Sequence, residues 1–209
     1  MAELKNLDKI VTEIEIELDE KDRVREQAIK SARSIIKLSG DAIRGMQRGS
    51  HPHNLLQKAK KEALQLAKML KDHPELSYTG YVEGAFQELA EAYIVLAITE
   101  KKPLHLPRDI GVTNTAYLLG MGDAVGELRR FALVALGKGQ VKKANEYLRL
   151  MEELFSALMR FDYPHAIVAI RRKQDIARSL VEKTRGEILV SSRSKELERK
   201  IESLRKKLK

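Results

Sequence analysis

Glu83-Gly-Ala-Phe-Gln-Glu-Leu-Ala-Glu-Ala-Tyr-Ile-Val-Leu-Ala-Ile98 reads as a helix that is apolar almost all round. A second stretch of the same kind runs Tyr117-Leu-Leu-Gly-Met-Gly-Asp-Ala-Val-Gly-Glu-Leu-Arg-Arg-Phe-Ala-Leu-Val-Ala-Leu136. Helices without a polar face are interior elements, so the pair predicts the centre of an all-α bundle. Yet the first carries Glu88 and Glu91, and the second Asp123 and Glu127. A buried carboxylate is costly unless it is paired, hydrogen-bonded or holding a metal.

The spacing places these acids in two groups. Glu88 and Glu91 project to one side of their helix, and Asp123 and Glu127 are one turn apart on theirs. Glu83 points elsewhere. Gly120, Gly122 and Gly126 crowd beside the second pair, which predicts close approach of another backbone or a ligand. Four like charges close together do not all stay ionised without a cation. Their hard oxygens select Mg²⁺ or Mn²⁺, an ion able to activate water for phosphodiester hydrolysis. Either pair alone also matches an ordinary ion pair, and Arg130, three residues after Glu127, is the evident partner. A di-iron bundle is set aside because it needs Glu-x-x-His pairs, and none occurs. The histidines at 51, 53, 73, 105 and 165 all fall at breaks or loops.

Composition narrows the class further. The chain has 209 residues, sparse aromatics (5%), no Trp and no Cys. Disulfides, Cys-ligated zinc and thiol nucleophiles are excluded. The N-terminus lacks an apolar signal core, and no apolar run reaches the roughly 18 residues that a membrane span needs. These features fit a cytoplasmic protein. The net charge is +9, while residues 81–135 hold seven acids and five bases, so the positive surplus lies in the outer segments. Basic flanks around an acidic centre fit a polyanion held beside carboxylates. Arg23, Arg25, Arg33 and Lys37 on the first helix, with Arg171, Arg172, Lys173 and Arg178 near the last, are the candidate phosphate contacts.

By apolar periodicity the rest of the chain predicts one long helix or two collinear ones over 3–48, with Ser39-Gly40 as the candidate kink, and further helices at 53–72, 141–160 and 165–186. In the first of these, Ile10, Ile14, Leu18 and Val24 begin the apolar face. Asp72-His-Pro74 and Phe161-Asp-Tyr-Pro164 are breaks. Thr113 or Asn114 is the expected N-cap of the second carboxylate helix. The expected organisation is a helical domain over 1–190 and a charged tail over 191–209. In that tail Leu197, Ile201, Leu204 and Leu208 make a short coiled-coil-like stripe.

Three segments carry a resemblance. Phe86-Gln-Glu-Leu-Ala-Glu-Ala92, Tyr117 through Arg130, and Lys173-Gln-Asp175 through Arg185-Gly-Glu187 resemble the translin superfamily, closest to its translin-associated factor X branch. The likeness covers roughly residues 20–187 and stops short of the tail. It implies a translin-like all-α bundle of about seven helices that assembles into hollow octamers and binds single-stranded RNA or DNA. It also implies a Mg²⁺-dependent endoribonuclease centre on Glu88, Glu91, Asp123 and Glu127. The plain translin branch lacks that full acid set and binds without cleaving. Ala116 stands where the family often has an acid, and the loop at 101–107 lacks the insertion of larger members. Both departures fit a compact, prokaryotic-type homo-oligomer.

Overall fold

The computed structural model describes residues 5–207. The first helix, α1 (Leu7–Gln47), runs unbroken through Ser39-Gly40. A Gly inside a helix costs only about 1 kcal/mol relative to Ala, and Ile35, Ser39, Ala42 and Ile43 are buried around it. α2 (His53–Met69) turns back along α1 and ends in a 3₁₀ turn, Leu70–Asp72. A one-turn helix, α3 (Pro74–Ser77), starts on Pro74, where the missing N–H is harmless.

α4 (Gly80–Thr99) is the central helix, buried without a gap from Leu89 to Ala97. It packs between α1, α2 and the second carboxylate helix, as its all-round apolar character predicts. A second one-turn helix, α5 (Pro107–Ile110), begins on Pro107. α6 (Asn114–Gly137) follows, with Thr113 as its N-cap accepting from the Ala116 N–H at 3.0 Å. Only part of α6 is interior. Leu133 and Val134 are exposed, because its C-terminal turns lie at the edge of the bundle. α7 (Val141–Leu158) returns along α6.

The last helix, α8 (Ile170–Lys207), differs most from the sequence expectation. It begins later than 165 and passes Gly186 without ending. Two contacts carry it through: Arg129 forks onto Glu187 with two 2.8 Å bonds, and Ile188 is buried. Together they outweigh the weak helix propensity of one Gly. The charged stretch after 190 is helical, as expected, but as a continuation of α8. Leu208 lies outside the described residues, as do positions 3 and 4 of the expected first helix.

Side-chain contacts fix the directions of the long helices. Thr113 at the start of α6 meets Glu83 at the start of α4. Leu96 and Thr99 near the end of α4 share a cavity wall with Phe131 and Val134. α4 and α6 therefore run parallel. The end of α1 lies at the same level, with Thr99 donating to Met46 and Gln47 donating to Glu127. α8 runs with them, since Lys173 meets Asp123 and Arg129 meets Glu187.

Candidate metal and nucleic-acid site

The two carboxylate helices face each other, and glycine is the reason they come so close. A Cβ on Gly120 would sit 2.6 Å from the Gln87 carbonyl oxygen and 2.9 Å from the Glu91 backbone nitrogen. Gly122 admits Lys173 in the same way, with its Cβ 2.9 Å from where a Gly122 Cβ would stand. Gly126 differs: Leu180 would be 3.8 Å away, an ordinary contact.

This contact brings Glu88, Glu91, Asp123 and Glu127 onto one open cavity of about 490 Å³, completed by Gly40, Arg44 and Gln47 of α1 and Lys173 of α8. Glu91 is the most buried of the four, at 7% exposure. Burial pushes its carboxyl from 4.5 up to about 8, and the negative charges of Asp123, Glu88 and Glu127 add to the effect against Lys173. Glu88 is also raised, first by burial and then by Asp123. The other two acids are hydrogen-bonded. Asp123 pairs with Lys173 and accepts from Gln87 at 2.5 Å. Glu127 accepts from Gln47 at 2.5 Å, and Arg130 lies 3.5 Å away, the ion pair expected from sequence.

Burial of Glu91 predicts an inverted pH dependence of stability. The folded state holds a proton that the unfolded chain gives up at pH 4.5, so stability is fully present below that pH. It then declines as pH rises towards 8. In EDTA, urea unfolding of the wild type is expected to lose ~3 kcal/mol across this window, a figure below the full shift because the surroundings relax and some exposure remains. The Glu91→Gln variant should show a shallower decline, because Glu88 is also raised and still contributes. A wild-type curve that rises from pH 5 to 8 would contradict this reading of Glu91.

Two clusters have the chemistry to hold an ion. The four acids offer only oxygen donors, a set that fits a hard divalent cation. In the present arrangement, with Lys173, Gln47 and Gln87 on their oxygens, they do not draw three ligand atoms within 4.8 Å. Among the described residues, His51, His53 and Glu100 do, making a possible metal-binding triad. There His53 Nε2 is 2.6 Å from one Glu100 oxygen and Lys102 Nζ is 2.9 Å from the other. From sequence the histidines mark only the break at Pro52 that precedes α2. Glu100, which closes α4, joins them only in the folded chain.

Residues 23–209 match the family model described as "Translin family". The chain belongs to the Translin family. Its fold is the translin-like all-α fold. The chain is 34% identical to an uncharacterized protein of Methanocaldococcus jannaschii, a match that covers 82% of this chain and 78% of that protein. The solved structure of AfC3PO with duplex RNA superposes with a TM-score of 0.80 at 30% identity, over 88% of this chain and 97% of that one. Apo-NeC3PO, at 23% identity and a TM-score of 0.77 over 91% of this chain and all of that one, shares the fold. Among the described residues of the Translin-family chain, no helix is long and apolar enough to cross a membrane.

The candidate phosphate contacts fall in different places on this fold. Lys173 lies in the acidic cavity. Arg23 and Arg25 are exposed and engaged with Glu20 and Asp22, and Arg171 pairs with Asp162. Arg172 is exposed, and Arg178 lies over the Phe155 ring near Asp175. Arg33 and Lys37 are exposed on the part of α1 that leads to Gly40 and Arg44. Arg23, Lys30, Lys37 and Arg44 recur every seventh residue and are all exposed, so they form a basic stripe along one helix face. The stripe ends at the cavity, because Arg44 lines it.

Proposed function

We propose that this chain is a metal-dependent endoribonuclease of the translin-associated factor X kind. In this reading it works in the cytoplasm on single-stranded or open-ended RNA, inside a homo-oligomeric shell that is octameric by resemblance. The observation that carries the reading is the meeting of four carboxylates, one of them buried, at the end of a basic stripe. Kinship with AfC3PO, solved with duplex RNA, supports RNA as the ligand.

Glu88, Glu91, Asp123 and Glu127 would hold Mg²⁺ or Mn²⁺, and their donor chemistry fits such an ion. When bound, it supplies charge stabilisation and an activated water for phosphodiester hydrolysis. The chain's own groups do the rest. The basic stripe and Arg33 track the RNA backbone towards the cavity. Lys173 and Arg44 place positive charge where a phosphate would arrive. In the metal-free chain Glu91 holds its proton up to about pH 8, so it gives that proton up on taking the ion, and one of the four acids would serve as general base for the attacking water. In the net reaction a water oxygen bonds to phosphorus, one P–O bond breaks, and the leaving oxygen takes up a proton.

The test is cleavage of labelled single-stranded RNA across a Mg²⁺ and Mn²⁺ series with an EDTA control. Internal cuts that appear only with divalent ion are expected. Binding without cleavage across both series would instead support a non-catalytic protein of the translin type for single-stranded RNA or DNA. The ion pair of Lys173 with Asp123 favours that second reading. A further expected result concerns the stripe. Lys37→Ala should weaken RNA binding whatever its sequence, and should flatten the plot of log affinity against log salt by ~0.7 for a single strand. An unchanged salt slope would remove Lys37 from the RNA path.

A further inference from the structure

Among the described residues, 7–21 and 189–207 form helical arms in which no residue is buried. From Leu7 to Lys21, α1 has no buried residue, and Leu7, Val11, Ile14 and Leu18 are 44–55% exposed. Of the apolar face expected from sequence, Ile10, Ile14 and Leu18 are exposed, and the packed part of α1 begins only at Val24. From Leu189 onward α8 is in the same position, with Val190, Leu197, Ile201 and Leu204 at 46–66% exposure. Free helical arms of this length are marginal in water, and an apolar stripe on such an arm marks a contact surface.

The two stripes match in spacing and oppose in charge. Leu7-Val11-Ile14-Leu18 and Leu197-Ile201-Leu204 share the alternating four-and-three spacing of a coiled-coil seam. The arms are ~24 Å and ~28 Å long. Residues 7–22 carry seven acids against two bases, and residues 189–207 carry seven bases against three acids. An acidic arm repels its own copy, and so does a basic one, whereas the two kinds attract.

One chain does not join its own arms. The α1 arm leaves the bundle below the starts of α4 and α6, where Lys21 meets Glu75 at 3.3 Å. The α8 arm leaves beyond the end of α6, where Lys195 donates to the Gly139 carbonyl. These are opposite ends of parallel helices. We propose that the acidic α1 arm of one copy packs against the basic α8 arm of a second copy, forming a head-to-tail helical seam. Such a contact uses a different surface on each partner and repeats around a closed assembly or along an open one. It is independent of the nuclease reading, since no arm residue lines the acidic cavity.

The absence of cysteine gives a direct test. Chains with Ile14→Cys and mass-tagged chains with Ile201→Cys are co-expressed and oxidised, with Val11, Leu18, Leu197 and Leu204 as alternative positions to cover the register. A disulfide-linked dimer of mixed mass should dominate over either same-arm dimer. Adding Glu13→Lys, Glu17→Lys and Glu20→Lys to the α1 arm should abolish it at low salt. Adding Arg199→Glu, Lys200→Glu and Arg205→Glu to the opposing arm should restore it. Same-arm dimers in equal or greater yield, or no dimer at any position pair, would overturn the proposal. The second of these results would leave the basic arm free for another partner such as RNA.

Discussion

Glu91→Gln and Asp123→Asn are each expected to lower divalent-dependent RNA cleavage ~10²-fold or more, the scale of losing one preorganised electrostatic group at a reacting centre. RNA binding should persist in both, because the basic stripe is untouched. For Glu91 the loss comes with a gain. At pH 8 in EDTA the Gln variant should be more stable than wild type, since it removes a carboxyl that burial holds near a pKa of about 8. A side chain retained for packing would not behave this way. Removing a structural group lowers stability, whereas removing a strained functional group raises it at the cost of activity. Two measurements decide the matter: cleavage rate under saturating Mn²⁺ and urea midpoint in EDTA. Full activity in Glu91→Gln would sink the site assignment, whatever the stability result.

What the sequence could and could not foretell follows from how local each signal is. The pairing of α4 with α6 was legible because both helices lack a polar face, and their four acids stand out against that background. The tight approach at Gly120 was legible for the same reason, three glycines in one helix being hard to explain otherwise. The end of α8 was misjudged because Gly186 is a local stop signal. What carries the helix past it is non-local: Arg129 comes from α6, 58 residues away from Glu187. Gln47 and Gln87, which hold Glu127 and Asp123, were invisible because a neutral amide has no signature until its partner is known. The helices α3 and α5 have four residues each, too short for periodicity to show. The exposure of Ile10, Ile14 and Leu18 was hidden as well, since an apolar stripe looks the same whether it meets its own core or another molecule.

Gly120→Ala is expected to be the most damaging single-methyl change in the chain. The added Cβ would meet the Gln87 oxygen at 2.6 Å, the Glu91 nitrogen at 2.9 Å and the Ala90 Cβ at 3.0 Å. Two of these atoms are backbone of the central helix, so no side chain can rotate out of the way and the helices must separate. Overpacking of this kind costs ~1–3 kcal/mol, more than Ala gains over Gly as a helix former, about 1 kcal/mol. Gly120→Val should go further still. Gly126→Ala is the internal control. It lies on the same helix with only Leu180 at 3.8 Å, so the propensity gain should prevail and the urea midpoint should rise. The two substitutions should separate in activity too. Parting α4 from α6 at Gly120 moves Glu91 away from Asp123, so Gly120→Ala should lose cleavage even where it stays folded, while Gly126→Ala should keep it. Equal midpoints for the two variants would mean that the backbone contact at Gly120 does not set the spacing of the acids.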